Sequence, residues 1–146
     1  RSRVWGIKEG SWEVAAYEAN LRALKTVRPE FMVLGSGDEH LLTSYIIGSA
    51  GSQVSLAAVA PRLCAEFFAA AHGGDWDLAR RLHERIYPLS VAIYRNAPGG
   101  RATARLKACL TLLGRLSAPT VRPPQPPVSQ AEWASLRAAL ESSGVT

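Results

Sequence analysis

Five side chains of types that do chemistry stand where short apolar runs of this 146-residue sequence give way to turns: Lys8, Ser36, Asp38, Glu39 and Ser55. Lys8 closes the run Val4-Trp5-Gly6-Ile7. On a short apolar strand a lysine points into a desolvated environment, which disfavours the ammonium, lowers the pKa and leaves more free amine to attack a ketone. The tripeptide Gly6-Ile7-Lys8, taken alone, also fits a strand-end lysine that reaches solvent. Ser36, Asp38 and Glu39 follow the apolar run Phe31-Met32-Val33-Leu34, and Ser55 lies near the end of a run that starts at Gly51. Their hydroxyls and carboxylates suit hydrogen bonding to a substrate. Asp38 equally suits the N-cap of a following helix, Glu39 the positive end of its dipole, and Ser55 an ordinary strand end.

The elements that must position these groups alternate in type. Arg3 to Lys8 reads as a strand, and a helix follows from about Ser11 with Val14, Tyr17, Leu21 and Leu24 on one face, stopping before Pro29. Phe31 to Leu34 is a second strand closed by Gly35-Ser36-Gly37. Ser36 or Asp38 is placed to cap the next helix, whose apolar residues Leu41, Leu42, Tyr45 and Ile46 run to Gly48, and Gly51 to Leu56 is a third strand. Strands joined through helices imply a parallel sheet buried on both faces. Gly35, Gly48 and Gly51 read as turn and close-packing positions, since no Lys-Ser/Thr phosphate loop accompanies them.

From Pro61 onward the pattern is helical. One helix carries Leu63, Cys64, Phe67, Phe68 and Ala71 and ends at His72-Gly73-Gly74. Asp75 caps a long helix from Trp76 to about Tyr94, with Leu82, Ile86, Leu89 and Ile93 buried and a kink expected at Pro88. Asn96 to Gly100 is a loop, Ala102 to Leu113 a helix, and Val121 to Pro127 an extended strap of polyproline II type. Ser129 with Glu132 matches a capping box for a last helix over about Gln130 to Ser142.

A hydrophobic content of 47% with 20% charged residues is that of a chain with a core and excludes disorder, and the length predicts one domain. No apolar stretch is long enough to span a membrane, and the N-terminus is too short and too soon charged for a signal peptide, so a cytoplasmic protein is expected. Seventeen basic residues against 12 acidic ones give +5. Arg80, Arg81 and Arg85 form the densest basic run but sit beside Asp77 and Glu84, a solvated helix face rather than a phosphate-tracking stripe, so no nucleic-acid partner is expected. Cys64 and Cys109 lie in apolar periodic segments and read as buried, inert thiols; His40, His72 and His83 are isolated. Neither a disulfide framework nor a metal site is predicted.

The stretch Gly6-Ile7-Lys8-Glu9-Gly10-Ser11 resembles the signature around the Schiff-base lysine of the dihydrodipicolinate synthase and N-acetylneuraminate lyase family, pyruvate-dependent class I aldolases built on a (β/α)8 barrel. The later motifs agree in order: a strand ending in Gly35 to Glu39, then Gly48-Ser49-Ala50-Gly51 leading into a strand ending at Ser55, then Pro61 opening a helix. Lys107 in Arg105-Leu106-Lys107-Ala108 and the proline-rich strap resemble the family's C-terminal helical region, so the resemblance covers essentially the whole chain. It implies barrel strands six to eight in residues 1–60, and the final barrel helix with a helical extension in residues 61–146.

The resemblance further implies a lyase or aldolase that forms an imine between Lys8 and pyruvate or another 2-oxo acid, with an aldehyde as second substrate and no cofactor. Asp38 and Glu39 match a pair that binds hydroxyls of the aldehyde half in relatives acting on sugar acids; Ser36 and Ser55 are the further substrate-binding candidates. Ala58 stands where many relatives have Asn, and Gln53 where an apolar residue is usual. The family's Gly-Gly-Thr turn and catalytic tyrosine have no counterpart, because Tyr17, Tyr45, Tyr87 and Tyr94 all fall on predicted helices. A companion N-terminal half of the barrel and a homo-oligomer, tetramer or dimer, are therefore expected. The alternative is a non-catalytic member with an assembly role.

Overall fold

The computed structural model describes residues 3–146; Arg1 and Ser2, which open the predicted barrel segment 1–60, lie outside the described residues. Three parallel strands, β1 (Gly6–Lys8), β2 (Met32–Gly35) and β3 (Gly51–Ser52), form one sheet in the order β1-β2-β3. The register pairs Ile7 with Val33, Lys8 with Leu34, and Leu34 with Gly51. Backbone bonds carry the ladder past these limits: Met32 N–H donates to the Trp5 carbonyl at 3.1 Å, Glu9 N–H to Leu34 at 2.9 Å and Ala50 N–H to Val33 at 3.1 Å. Gly6 is required where the strands approach, since a Cβ there would sit 2.6 Å from the Met32 carbonyl oxygen.

Helix α1 (Val14–Val27) covers the sheet through Tyr17 and Leu21, which bury with Phe31 and Val33 while Ile7, Leu24 and Ile47 pack around them. It starts three residues later than the predicted Ser11. The Ser11 hydroxyl is engaged by the Glu9 carboxylate and Trp12 takes a left-handed φ of 63°, so the chain turns before it can wind. A 3-10 turn over Asp38–His40 leads into α2 (Leu41–Ile47). Neither Ser36 nor Asp38 caps it by side chain: Gly37, with φ 76°, holds the cap position of the 3-10 turn, and Asp38 lies inside that turn. Leu41, Ser44 and Tyr45 bury, whereas Ile46 is 63% exposed, two residues past Ser44 and so on the opposite face. Gly48, at φ 109°, closes the helix in the left-handed region that favours glycine.

The third strand is shorter than the predicted Gly51 to Leu56. Residues Ser55–Ala58 wind into a 3-10 turn, with Leu56 fully buried and its carbonyl accepting from both Val59 and Ala60 N–H groups at 2.9 Å. Helix α3 (Pro61–His72) and α4 (Trp76–Ser90) follow, the latter capped by Asp75, whose carboxylate accepts from Leu78 N–H at 2.9 Å. Pro88 does not end α4. The helix runs through it and widens into a π turn over Val91–Arg95, where Asn96 N–H donates to the Val91 carbonyl.

The described residues cluster into two compact units, one of residues up to Val54 with Glu66–His83, the other of Ser55–Ala65 with Glu84–Thr146. In the first, Tyr45 meets Phe67 edge to face at 5.2 Å and its hydroxyl lies 2.7 Å from Ser52 Oγ. Arg28 stacks over Trp5 and Phe31, yet Trp5 stays 67% exposed. In the second, Ile86, Leu89, Ile93 and Leu136 are buried, as the helical spacing predicts for the first three. In the first unit the Arg80 guanidinium bonds Asp77, consistent with a solvated helix face. Cys109 is buried, which pushes its thiol up to about 12; Cys64 is half-buried rather than buried. No helix among the described residues is long and apolar enough to cross a membrane.

A buried ionic network organises the second unit. Arg101 grips Glu132 bidentately, Nε to Oε1 at 2.7 Å and Nη2 to Oε2 at 3.0 Å, while its Nη groups also donate to the carbonyls of Pro126 and Pro127. Arg105 donates to Glu132 at 2.9 Å and to the carbonyls of Ile93, Asn96 and Pro98. These two arginines, at the N-cap and on α5 (Ala102–Leu112), bind the Asn96 loop and the proline-rich strap to the start of α6 (Gln130–Ser143). The strap is not a straight polyproline II run: it turns where Gln125 N–H donates to the Arg122 carbonyl. The capping box forms as predicted, Ser129 N–H to Glu132 Oε2 at 2.9 Å and Glu132 N–H to Ser129 Oγ at 3.3 Å.

The Arg101 guanidinium, with further donors from Ser129 and Arg105, holds the Glu132 carboxyl at about 2. A depressed folded-state pKa gives stability that is present above the ordinary carboxylate value of about 4.3 and lost as pH falls through the folded value. Glu132→Ala, which strands a buried Arg105, is expected to cost about 3 kcal/mol at neutral pH. Urea titrations across this acid range should show the stability of the parent falling with pH and that of the variant falling less.

Candidate active site

Parallel pairing puts the C-terminal ends of β1 and β2 on one edge of the sheet. Lys8, the last residue of β1, lies opposite Leu34, and Gly35, Ser36 and the Asp38–His40 turn follow directly. The lysine is exposed rather than desolvated. The physical reason is that α1 covers the face of β1 shared by Ile7 and Glu9, whereas Lys8 stands on the opposite face.

The residue after the lysine is the buried one. Glu9 is 7% exposed, and its carboxylate accepts from Ser11 N–H at 3.2 Å, from Ser11 Oγ at 2.9 Å and from Asn20 Nδ2 of α1 at 3.2 Å. Its backbone is held as firmly: Glu9 N–H donates to Leu34, and the Ser36 hydroxyl donates to the Glu9 carbonyl. Sequence reasoning missed Glu9, because a glutamate after a strand is ordinarily a solvated residue. The available signal was Ser11 two positions on, a hydroxyl and an amide within reach of a carboxylate at a chain reversal.

Ser36, Asp38 and Glu39 are all buried, Asp38 and Glu39 at 2% and 7% exposure. His40 Nε2 lies 3.8 Å from Glu39 Oε1, an ion pair when the imidazole is protonated. Glu9, Trp12, Tyr17, Ser36, His40 and Ser44 enclose a cleft of about 10 Å³, room for one water molecule. Behind it, Ser49 Oγ accepts from Gly35 N–H at 3.1 Å and donates to the Gly51 carbonyl, with the Val33 carbonyl 3.2 Å away, pinning the β2 end to the turn before β3. Of the predicted site residues, Lys8, Ser36, Asp38 and Glu39 thus share the sheet's C-terminal edge. Ser55 does not stand at a strand end: it is exposed, opens the 3-10 turn three residues past the end of β3, and belongs to the other compact unit.

Strand-helix units in parallel register, with titratable side chains collected at the C-terminal edge, define an α/β protein of the βα-repeat class, in which sites form on the turns after the strands. The chain belongs to the dihydrodipicolinate synthetase family, whose model matches residues 1–143. It is 35% identical over 142 residues to the 4-hydroxy-tetrahydrodipicolinate synthase of Sphingopyxis alaskensis, covering 97% of this chain and 46% of the relative. It is 33% identical to the enzyme of the same name from Neisseria meningitidis, with coverage of 95% and 45%. Among solved structures it resembles dihydrodipicolinate synthase of Thermotoga maritima, TM-score 0.87 and 26% identity, over 97% of this chain and 46% of that one. It also resembles a prophage protein of E. coli K12 from the same family in complex with pyruvate, TM-score 0.86 and 25% identity, over 100% and 48%. The chain spans about half the length of the relatives it matches.

Burial raises the Tyr17 phenol above its ordinary value of 10.0, and the nearby Glu9 charge adds to the rise, while a hydrogen bond with Ser49 opposes it. Ultraviolet titration of the parent against Tyr17→Phe should place this phenol above pH 10.0, and Glu9→Gln should move it down.

Proposed function

We propose that this chain is the C-terminal part of a pyruvate-dependent Schiff-base lyase, with residues 1–60 as strands six to eight of a (β/α)8 barrel and residues 61–146 as the final helix and helical extension. The observation that carries this reading is Lys8 at the C-terminal end of a parallel strand, opposite Leu34 and so beside the segment after β2 that bears Ser36, Asp38 and Glu39. Family membership supports it, as does the pyruvate bound to the prophage relative.

In this reading the unprotonated Lys8 amine attacks the ketone carbon of pyruvate or a similar 2-oxo acid. The carbonyl oxygen leaves as water, and the protonated imine withdraws electrons from the neighbouring carbon. That carbon loses a proton to give an enamine, which forms a carbon-carbon bond to an aldehyde, and hydrolysis of the imine then frees the lysine. The reverse sequence cleaves a 2-oxo acid to pyruvate. Asp38 and Glu39 accept hydrogen bonds from hydroxyls of the aldehyde half. The Ser36 hydroxyl donates to the Glu9 carbonyl, which leaves its lone pairs to accept from substrate; Ser55 is assigned to substrate binding by its place in the sequence order. The desolvation that makes Lys8 a nucleophile comes from a companion N-terminal half that covers β1. Assembly as a homo-oligomer in the cytoplasm belongs to the same proposal.

Borohydride reduction in the presence of pyruvate, followed by peptide mapping, should place the adduct on Lys8 in the protein carrying all its strands. Lys8→Ala and Lys8→Arg should both give no adduct and no turnover, since a guanidinium stays protonated. Turnover within about tenfold of the parent in either variant would overturn the assignment, and no adduct in the parent would favour the assembly role. Glu39→Ala is expected to raise KM for the aldehyde while trapping on Lys8 continues; a lowered melting temperature with unchanged kinetics would instead make Glu39 a structural residue.

A further inference from the structure

We infer that Glu9 is a positioning residue for Lys8, the group that fixes the register and facing of the lysine on β1. The inference rests on the Schiff-base reading above. Side chains alternate along a strand, so Ile7 and Glu9 share one face and Lys8 takes the other. Ile7 packs against the Tyr17, Leu21, Phe31 and Val33 cluster under α1, and Glu9 reaches Asn20 of the same helix, so both mark the helix-facing side. A slip of one residue would turn Lys8 towards α1.

Apolar packing alone specifies that register weakly here, because β1 has three residues and Gly6 contributes no side chain. Ile7 is only partly buried. The Glu9 carboxylate supplies what is missing: three directional bonds from Ser11 and Asn20, in addition to the backbone bonds to Leu34 and Ser36. The side chain thereby ties the peptide that follows Lys8 to α1, while the Glu9 carbonyl, independently of the carboxylate, accepts from Ser36 in the turn after β2. A hydrophobic residue in its place would bury equally well without fixing the rotation of the strand end. Glu9 does not touch the reacting atoms, so its effect is on how often the lysine amine is aimed at the ketone.

The test compares Glu9→Ala, Glu9→Gln and Asn20→Ala in the protein carrying all its strands, by the rate of borohydride-trappable imine formation with pyruvate. Glu9→Ala should slow trapping on Lys8 by about tenfold to a hundredfold, with the half-saturating pyruvate concentration little changed. Glu9→Gln keeps one carbonyl acceptor for Ser11 or Asn20 and should recover part of that rate; Asn20→Ala, which leaves the Ser11 bonds in place, should show a smaller loss. Should Glu9→Ala fail to fold, the Gln and Asn20 variants carry the test alone. Parent-like trapping rates in the folded variants, even with a lowered melting temperature, would overturn the positioning role. Absence of an adduct on Lys8 in the parent would instead overturn the Schiff-base reading, and the inference with it.

Discussion

The rest of the first unit depends on the pairing of β2 with both of its neighbours. Val33 faces the α1 cluster because Ile7 and Lys8 are locked opposite Val33 and Leu34, and Gly35 can close on the next turn because Ser49 satisfies its amide. The fit leaves little tolerance. A Cβ on Gly6 would strike the Met32 carbonyl, and one on Gly35 would approach Ser44 Cβ to 3.1 Å. Parallel ladders hold only when their strands are flanked and covered. Here Val4, Trp5 and Met32, all exposed, stand at the start of β1 and β2. This is the physical basis for proposing a companion segment.

The second unit is held by different forces. Leu56, Val59, Ile86, Leu89, Ile93 and Leu136 are excluded from water, yet the connections are fixed by charge: Arg101 and Arg105 satisfy backbone carbonyls of two proline-containing segments and converge on one carboxylate. Burying those charges costs solvation, which the many directional bonds offset. The result is a defined path for a loop and a strap that have no regular structure of their own. Lys107, bonded to the Thr120 carbonyl at 2.6 Å, and Arg85, bonded to the Ser143 carbonyl at 3.0 Å, extend the same device.

Where one physical rule dominated, the sequence was legible. The capping box at Ser129, the Asp75 cap, the Tyr17 and Leu21 face of α1 and the buried line from Leu82 to Ile93 all follow from spacing and cap chemistry. It was illegible where two rules competed. Ser11 reads as a helix start until Glu9 claims its hydroxyl, and the segment after β3 reads as strand until the Leu56 carbonyl accepts two amides and turns the chain. Ile46 continues an apolar run but lies on the wrong face of a short helix. The proline strap holds polyproline composition, yet its shape is dictated by the carbonyls that Arg101 requires. Lys8 and the Asp38-Glu39 pair were legible as types and places; the anchoring of the strand end by Glu9 was not, because it depends on Asn20 and Ser36 arriving from other elements.

The most direct measurement is amide hydrogen exchange at Gly6 and Lys8. Met32 N–H donates to Trp5, and Glu9 N–H donates to Leu34, so the alternation of a parallel ladder turns the Gly6 and Lys8 amides towards the open side of β1. If β1 is an inner strand of a larger barrel, both amides are strongly protected in the protein carrying all its strands and exchange freely when residues 1–146 are prepared alone. Free exchange of both amides in the complete protein, or residues 1–146 alone melting cooperatively as a monomer with both amides protected, would contradict the account.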